Sequence, residues 1–238
     1  MKRRIPKART LVLAPAVALT TVVGVSAGTA NAAAAFESCE QWGNWTDPDG
    51  YIVYNNIWGS GAGSQCIAAD SGSSWSVDAD HPDTGGIKSY PNAKYIVGEP
   101  IQDIGSLSST FDVTVPSAGA YNTAYDVWDE NHDHEIMLWM NWYGPVGPLG
   151  EPVGEATLGG HTWDVYNGSN GNNNVYSFLR QGSTSSGEVD IVPILDWITE
   201  QGWMDQSEVI GDVQFGYEIT SSAGGLDFTT HEFSVSGG

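Results

Sequence analysis

Three carboxylates lie in short stretches in which apolar and polar residues alternate. Glu135 opens the stretch 135–140 (EIMLWM), Glu218 lies within 212–220 (DVQFGYEIT), and Asp126 lies within 124–128 (AYDVW). A protonated carboxyl group can donate a proton to a leaving group, and an ionised one can attack an electrophilic carbon or activate water. These three acids are therefore the first candidates for catalytic groups.

Strand alternation predicts which residues share a face with each acid, because successive side chains of a β-strand point to opposite sides. One face of 135–140 is an ordinary core stripe: Ile136, Leu138 and Met140. The opposite face carries Glu135 together with Met137 and Trp139. A carboxylate in line with these two side chains is typical of the floor of a groove rather than of a solvated face.

The other stretches give the same pattern. In 212–220 the face of Glu218 also carries Asp212, Gln214, Gly216 and Thr220, and we expect Gly216 to leave space beside Glu218. Asp126 shares a face with Trp128. Treated as one strand, residues 51–58 place Asn56 and Trp58 on the face of Tyr54.

The combination points to a carbohydrate site, although each acid alone is most simply a polar residue on a water-facing strand. The chain contains 10 Trp and 10 Tyr, and aromatic rings stack on the apolar faces of sugars while carboxylates and amides bind hydroxyl groups. Two carboxylates that flank a sugar-sized cleft are what glycoside hydrolysis requires. A non-catalytic sugar-binding module would need the aromatic residues but not the two carboxylates.

The elements that must position these residues are mostly strands. Short alternating stretches separated by Gly, Asn, Asp, Ser and Pro predict an all-β, antiparallel β-sandwich (jelly roll) with a concave substrate cleft. One packed α-helix is expected over 189–201, where Val192, Leu195 and Ile198 recur at spacing three and Gly202 follows. The segment 168–174 (GSNGNNN) is expected to be a loop within a single domain.

The first 32 residues have the pattern of a secretory signal peptide. Five cations precede an apolar run over 11–28, and Ala30-Asn31-Ala32 follows as a cleavage site. Pro15 and the short length argue against a membrane anchor. We therefore expect residues 1–32 to be removed and residues 33–238 to form one catalytic domain, secreted and extracellular, by either the Sec or the Tat route.

The charge of residues 33–238 limits the classes of ligand that the protein can bind. This segment contains 29 acids and only three cations, Lys88, Lys94 and Arg180, and this excess disfavours nucleic acid and anionic membrane surfaces as ligands. Cys39 and Cys66 are expected to form one structural disulfide, as an even pair does in an exported protein. We expect a monomer without metal or cofactor, and assign His132 and His134 to the end of a loop.

Several strings resemble, in the same order, the motifs of glycoside hydrolase family 12, secreted endoglucanases with a β-jelly-roll fold. They are 55–59 (NNIWG), 125–128 (YDVW), 135–139 (EIMLW), 144–150 (GPVGPLG), 175–178 (VYSF) and 215–218 (FGYE). They span most of the chain after Cys39. One departure is that Ile219 and Thr220 follow Glu218 where many members have Pro and Phe, so contacts on the aglycone side are expected to differ.

The resemblance implies roles for individual residues. Glu135 matches the nucleophile, Glu218 the acid/base and Asp126 the aspartate beside the nucleophile. The remaining matches are substrate-contacting Asn56 and Trp58, cleft-lining Met137 and Trp139, and the N-terminal disulfide of Cys39 with Cys66.

The expected activity is therefore that of a secreted endo-β-1,4-glucanase that cleaves cellulose or a related β-glucan with retention, by double displacement on two glutamates. The alternatives are a non-catalytic glucan-binding jelly-roll module and an endo-hydrolase directed at xyloglucan or xylan. The preferred glucan, the pH optimum and transglycosylation are left open by the sequence.

Overall fold

The protein is described here by a computed structural model that covers Met1 and residues 33–238. The predicted signal peptide lies, apart from Met1, outside the described residues, and its cleavage stays a prediction. Residues Ala34–Gly238 form one compact unit. Within this part of the chain no helix combines the length and the apolar character needed to cross a bilayer.

Alternating stretches separated by turn residues form two stacked β-sheets, as the sequence predicts for a jelly roll. The six-stranded sheet, here the back sheet, consists of β1 (Phe36–Ser38), β4 (Ser64–Ser71), β5 (Ser74–Asp80), β15 (Leu226–Gly237), β7 (Leu107–Thr114) and β13 (Ser186–Asp190), in that spatial order.

The nine-stranded sheet is here the cleft sheet. In spatial order it consists of β10 (Glu151–Leu158), β11 (His161–Ser169), β12 (Asn174–Arg180), β9 (His134–Tyr143), β8 (Ala120–Asp129), β14 (Val209–Ser221), β6 (Asn92–Pro100), β3 (Ile52–Tyr54) and β2 (Asn44–Thr46). The three central strands β9, β8 and β14 carry the three candidate acids.

The inner faces of the two sheets meet in one aromatic and aliphatic core. Phe111 of the back sheet lies 5.2 Å from Phe215 of the cleft sheet, measured between ring centroids, and both are fully buried. The predicted core stripe of Ile136, Leu138 and Met140 is buried here as well. Since burying apolar area is the main favourable term in folding, this core fixes the register of the strands that carry the acids.

One pair of neighbouring strands departs from the antiparallel prediction. Strands β12 and β9 run parallel, with Val175 opposite Glu135 and Tyr176 opposite Ile136. Alternation along a strand does not report the direction of its neighbour, so the sequence pattern gave no sign of this. The parallel pair places the start of β12 beside the start of β9.

The helix is shorter than predicted. Helix α1 spans Val192–Glu200, with Pro193 in its first turn, and it buries Leu195 and Ile198 as expected. Val189, which the helical pattern included, instead belongs to β13 and pairs with Ser109. Its spacing to Val192 fits a helix and equally fits a buried strand residue followed by a turn.

The disulfide between Cys39 and Cys66 is present, as predicted. It ties the N-terminal segment to β4 of the back sheet. Two hydrogen bonds join that segment to the loop after β3. Gln41 Nε2 donates to the carbonyl of Ile57 at 2.7 Å, and the carbonyl of Glu40 accepts from Asn55 Nδ2 at 2.9 Å. The disulfide therefore supports the loop 55–58, which carries Asn56 and Trp58.

Replacing both cysteines (Cys39→Ala with Cys66→Ala) should lower the free energy of unfolding by about 3 kcal/mol, because the open chain gains conformational freedom when unfolded. Urea denaturation measures this difference. Wild-type protein reduced with dithiothreitol is the control and should lose the same amount. Equal stability of the variant and the oxidised wild type would contradict the prediction.

Candidate active site

A cleft of about 840 Å³ opens on the outer face of the cleft sheet. Its lining includes all three candidate acids and every predicted substrate-contacting residue: Asn56, Trp58, Asp126, Glu135, Met137, Trp139 and Glu218. A volume of this size is in the range of small-molecule sites on proteins. The strand faces assigned from alternation therefore meet in one concave surface.

The register of three adjacent strands sets the positions of the acids. Asp126 on the middle strand β8 lies opposite Met137 of β9 and Gln214 of β14. Glu135 on β9 lies opposite Trp128, and Glu218 on β14 lies opposite Asn122. The two glutamates thus flank the strand that carries the aspartate, and all three face the cleft.

The loop after β3 reaches the cleft for a different reason than the one predicted. Strand β3 ends at Tyr54, and Asn56 has a positive φ of 44°, so strand alternation does not extend to Trp58. Asn56 is held by a hydrogen bond from its Nδ2 to the carbonyl of Tyr90 at 3.1 Å. Trp58 retains 49% of its surface exposed, whereas Trp139 is buried on the cleft floor.

Gly216 also differs from expectation. A Cβ at this position would lie 2.1 Å from the carbonyl oxygen of Pro91 and 2.8 Å from the Cβ of Asn92. The absent side chain therefore does not open space beside Glu218. It allows the segment before β6 to approach β14 closely.

Burial and then the charge of Glu218 raise the pKa of Glu135 to about 7, and a hydrogen bond from Asn173 opposes this rise. Asn173 Nδ2 donates to Glu135 Oε2 at 3.1 Å. Since ionisation of either glutamate disfavours ionisation of the other, the pair holds one proton over an interval of pH.

Glu218 has a similar environment but a different neighbour. Burial raises its pKa to about 7, and a hydrogen bond from Asn122 opposes the rise. Asn122 Nδ2 donates to Glu218 Oε2 at 2.6 Å. The apolar neighbours Tyr217 and Ile219 point into the core, so the cleft itself supplies the desolvation. Because Ile219 is fully buried, its departure from the family pattern does not face the cleft.

Asp126 is the most deeply buried of the three acids. Burial, followed by the charges of Glu135, Glu218 and Asp212, raises its pKa well above the usual range. Both the desolvation and the neighbouring negative charges favour the protonated form of this carboxyl group. Its Oδ1 atom accepts no hydrogen bond from any of residues 33–238.

One cation is close to this acidic group. Lys94 of β6 also lines the cleft, and its Nζ lies 3.2 Å from Oδ2 of Asp212. Gln214 Nε2 donates to the other oxygen of that carboxylate at 2.9 Å. The positive charge of Lys94 is thus paired with Asp212, and it forms no ion pair with Glu135 or Glu218.

Sequence reasoning missed several residues in and around the cleft, among them Asn122, Tyr90, Lys94 and Asn173. Asn122 precedes Asp126 by four positions on the same face of β8, so extending the alternation would have found it. Tyr90, which donates to the carbonyl of Ala124 at 3.1 Å, Lys94 and Asn173 had no such signal. They reach the cleft through pairing between strands distant in sequence.

His132 and His134, which the sequence assigns to the end of a loop, have different surroundings. His132 lines the cleft with φ of 59° and packs its ring against Trp128, whereas His134 Nδ1 lies 3.0 Å from the hydroxyl of Tyr176. Among the described residues no three or more His, Cys, Asp or Glu side chains are grouped so that they could hold a metal ion.

Comparison with known proteins gives a consistent result. The model of glycosyl hydrolase family 12 matches residues 49–236. A probable xyloglucan-specific endo-beta-1,4-glucanase A of Aspergillus terreus is 34% identical over 83% of this chain and 86% of its own length.

Solved structures agree with that match. The xyloglucanase domain of NopAA, a type three effector from Sinorhizobium fredii solved in complex with cellobiose, is 39% identical, with a TM-score of 0.82, over 86% of this chain and 99% of that one. Endoglucanase 3 of Trichoderma harzianum is 27% identical, with a TM-score of 0.77, over 85% and 97%.

The buried carboxyls should make stability depend on pH. A carboxyl whose folded pKa exceeds its unfolded value stabilises the protein at low pH, and this contribution is lost as pH rises through the folded pKa. Between unfolded values near 4.5 and folded values of about 7, each ionised glutamate costs up to about 3 kcal/mol. Glu218→Gln and Glu135→Gln should therefore stabilise the protein at pH 8.5 and have little effect at pH 4.

Urea denaturation at the two pH values tests this. The exposed Glu37 provides the control, since Glu37→Gln should change stability equally little at both. A gain from Glu218→Gln that is the same at pH 4 and pH 8.5 would show that the carboxyl is not desolvated in the folded protein.

Proposed function

The chain belongs to glycosyl hydrolase family 12, whose members are retaining endo-β-1,4-glucanases, and from this premise we propose that Glu135 is the nucleophile and Glu218 the acid/base. The observation that carries the assignment is the pair of part-buried glutamates in one cleft: burial raises the pKa of each to about 7, and the charge of Glu218 adds to the rise at Glu135. One proton on such a pair leaves one carboxylate to attack and one acid to donate.

In the first step an ionised Glu135 oxygen attacks the anomeric carbon of a bound glucan, and the bond from that carbon to the leaving sugar oxygen breaks. Glu218 gives its proton to this oxygen. A covalent glycosyl-enzyme forms, and Glu218 is left ionised.

In the second step Glu218 takes a proton from water, the water oxygen attacks the anomeric carbon, and the Glu135 carboxylate is released. Two inversions give net retention. Asp126 retains its proton through both steps, because a third negative charge beside Glu135 would be disfavoured. We assign it an orienting role beside the nucleophile, from the adjacent strand; the structure contains no hydrogen bond between Asp126 and Glu135 within residues 33–238.

Substrate binding is assigned to Asn56, Trp58, Met137 and Trp139. Trp58 offers an exposed ring for stacking at the cleft wall, and Asn56 is fixed beside it.

Among β-1,4-glucans, xyloglucan is the favoured candidate substrate. The curated relatives that cover most of the chain carry xyloglucan-specific names, as does the most similar of the structures described above. The half-exposed Trp58 leaves the cleft open above the glucan backbone, where xylose branches would project. Relative rates on xyloglucan, mixed-linkage glucan, carboxymethyl cellulose and xylan separate these substrates.

The enzyme would act outside the cell as a monomer, on a neutral polysaccharide rather than on nucleic acid or membranes. The disulfide fits an oxidising compartment, and the N-terminal pattern supplies an export signal. The excess of acids over cations in residues 33–238, 29 against three, favours solubility and neutral partners.

Hydrolysis of a soluble cello-oligosaccharide, followed by NMR of the anomeric protons, should give the β-anomer as the first product, because two inversions restore the configuration. Glu135→Gln should abolish most turnover while circular dichroism shows an intact fold. Early α-anomer would contradict retention, and an active Glu135→Gln enzyme would contradict the assignment of the nucleophile. A folded wild type that binds the sugar without cleaving it would instead be a binding module.

Trp58→Ala should raise KM on oligosaccharides about fivefold with a smaller change in kcat, because loss of ring stacking weakens binding by about 1 kcal/mol. Trp58→Phe is the matched control and should retain most of the affinity. An unchanged KM in Trp58→Ala would show that Trp58 does not contribute to substrate binding.

A further inference from the structure

We propose that Asn173, held in one orientation by Asn170, is a positioning residue for the Glu135 carboxylate. The inference rests on the assignment of Glu135 as nucleophile and adds a group from a different part of the chain. The two asparagines lie in the segment between β11 and β12 that the sequence identified only as a loop.

The parallel pairing of β12 with β9 explains why this loop reaches the nucleophile. Neighbouring parallel strands begin at the same edge of a sheet, so the residue before β12 lies beside the first residues of β9. The backbone N–H of Asn174 donates to the carbonyl of Asp133 at 2.9 Å, which joins the two strand starts. Asn173 is thereby placed within hydrogen-bond distance of Glu135.

The amide of Asn173 has a defined direction. Asn170 Oδ1 accepts the backbone N–H groups of Asn172 at 2.9 Å and of Asn173 at 3.0 Å. These two donors fix the oxygen of Asn170, so its Nδ2 points the other way and donates to Asn173 Oδ1 at 2.7 Å. With its oxygen occupied, Asn173 presents Nδ2 to Glu135 Oε2.

A donor in this place has two effects on the nucleophile. It holds one carboxylate oxygen while Oε1 accepts no hydrogen bond within residues 33–238 and stays available for attack. It also favours the ionised form, since hydrogen bonds to a carboxylate lower its pKa. Asn173 is almost fully buried, so water cannot fully replace it.

The other charged and titratable groups that face Glu135 act differently. The charge of Glu218 on β14 opposes its ionisation. Asp126 lies on the adjacent strand β8, and Lys94 on β6 is paired with Asp212 of β14. His132, Tyr54 and Tyr90 complete the titratable lining of the cleft. Among the described residues, Asn173 is the one that donates a hydrogen bond to Glu135.

The test measures how fast Glu135 reacts as a nucleophile in a reaction that needs no proton from the acid/base. In 2,4-dinitrophenyl 2-deoxy-2-fluoro-β-cellobioside the Glu135 oxygen attacks the anomeric carbon, the bond to the aryl oxygen breaks, and dinitrophenolate leaves with the electron pair. This leaving group needs no proton, and the fluorine slows release of the trapped sugar. The pH dependence of the labelling rate therefore reports ionisation of Glu135.

Asn173→Ala should move the acid limb of this profile upward by about one pH unit, as expected for loss of a hydrogen bond to a charged group. Labelling should slow about tenfold below the limb and much less above it. Asn170→Ala should give a smaller shift in the same direction, because Asn173 can still donate in one of its two amide orientations. An unchanged limb in Asn173→Ala would overturn the proposal.

Asn174 provides the matched control, because it is the adjacent asparagine, is exposed, and has no side-chain hydrogen bond within the described range. Asn174→Ala should retain the wild-type profile, and a shift equal to that of Asn173→Ala would also overturn the proposal. If Asn173→Ala does not fold, the isosteric Asn173→Leu replaces it. If neither folds, a crystal structure of the wild type with the Asn173 amide beyond 3.5 Å from Glu135 would refute it.

Failure of the proposed function would look different. Wild-type protein that is not labelled, or is labelled by mass spectrometry at a residue other than Glu135, would contradict the nucleophile itself. Wild-type labelling at Glu135 with identical profiles in all variants would contradict only the role of Asn173.

Discussion

Desolvation of three carboxyl groups beside one another is the constraint on which the site depends. Glu135, Asp126 and Glu218 lie on adjacent strands, and burial raises the pKa of each. Water would stabilise all three as anions and leave no acid at neutral pH. The cleft instead disfavours charge, so that ionisation is limited and protons stay on the remaining groups.

The neighbouring amides then distinguish otherwise similar acids. Asn122 donates to Glu218 from the central strand of the group, and Asn173 donates to Glu135 from a loop. Asp126 has no donor at its Oδ1 and is the acid least able to ionise. These hydrogen bonds separate the two glutamates from Asp126, because each bond favours the ionised form of the carboxyl group that accepts it.

The two sheets and the disulfide keep these contacts in register. The aromatic core between the sheets fixes the faces of β8, β9 and β14, and the parallel pair β12–β9 brings a loop to Glu135. The disulfide from Cys39 to Cys66 supports the loop that carries Asn56 and Trp58. The proposed catalytic and binding residues therefore lie on elements whose positions are set by packing outside the cleft.

The sequence by itself determined the fold class, the face of each acid on its strand, and the disulfide. These follow from local rules, since alternation of side chains and a single cysteine pair need no knowledge of neighbours. Only the tertiary structure decided that β12 runs parallel to β9, that Gly216 makes room for Pro91, and that Asn173 reaches Glu135. Strand direction and hydrogen-bond partners depend on segments distant in sequence, and a strand's own residues do not encode which neighbour will lie beside it.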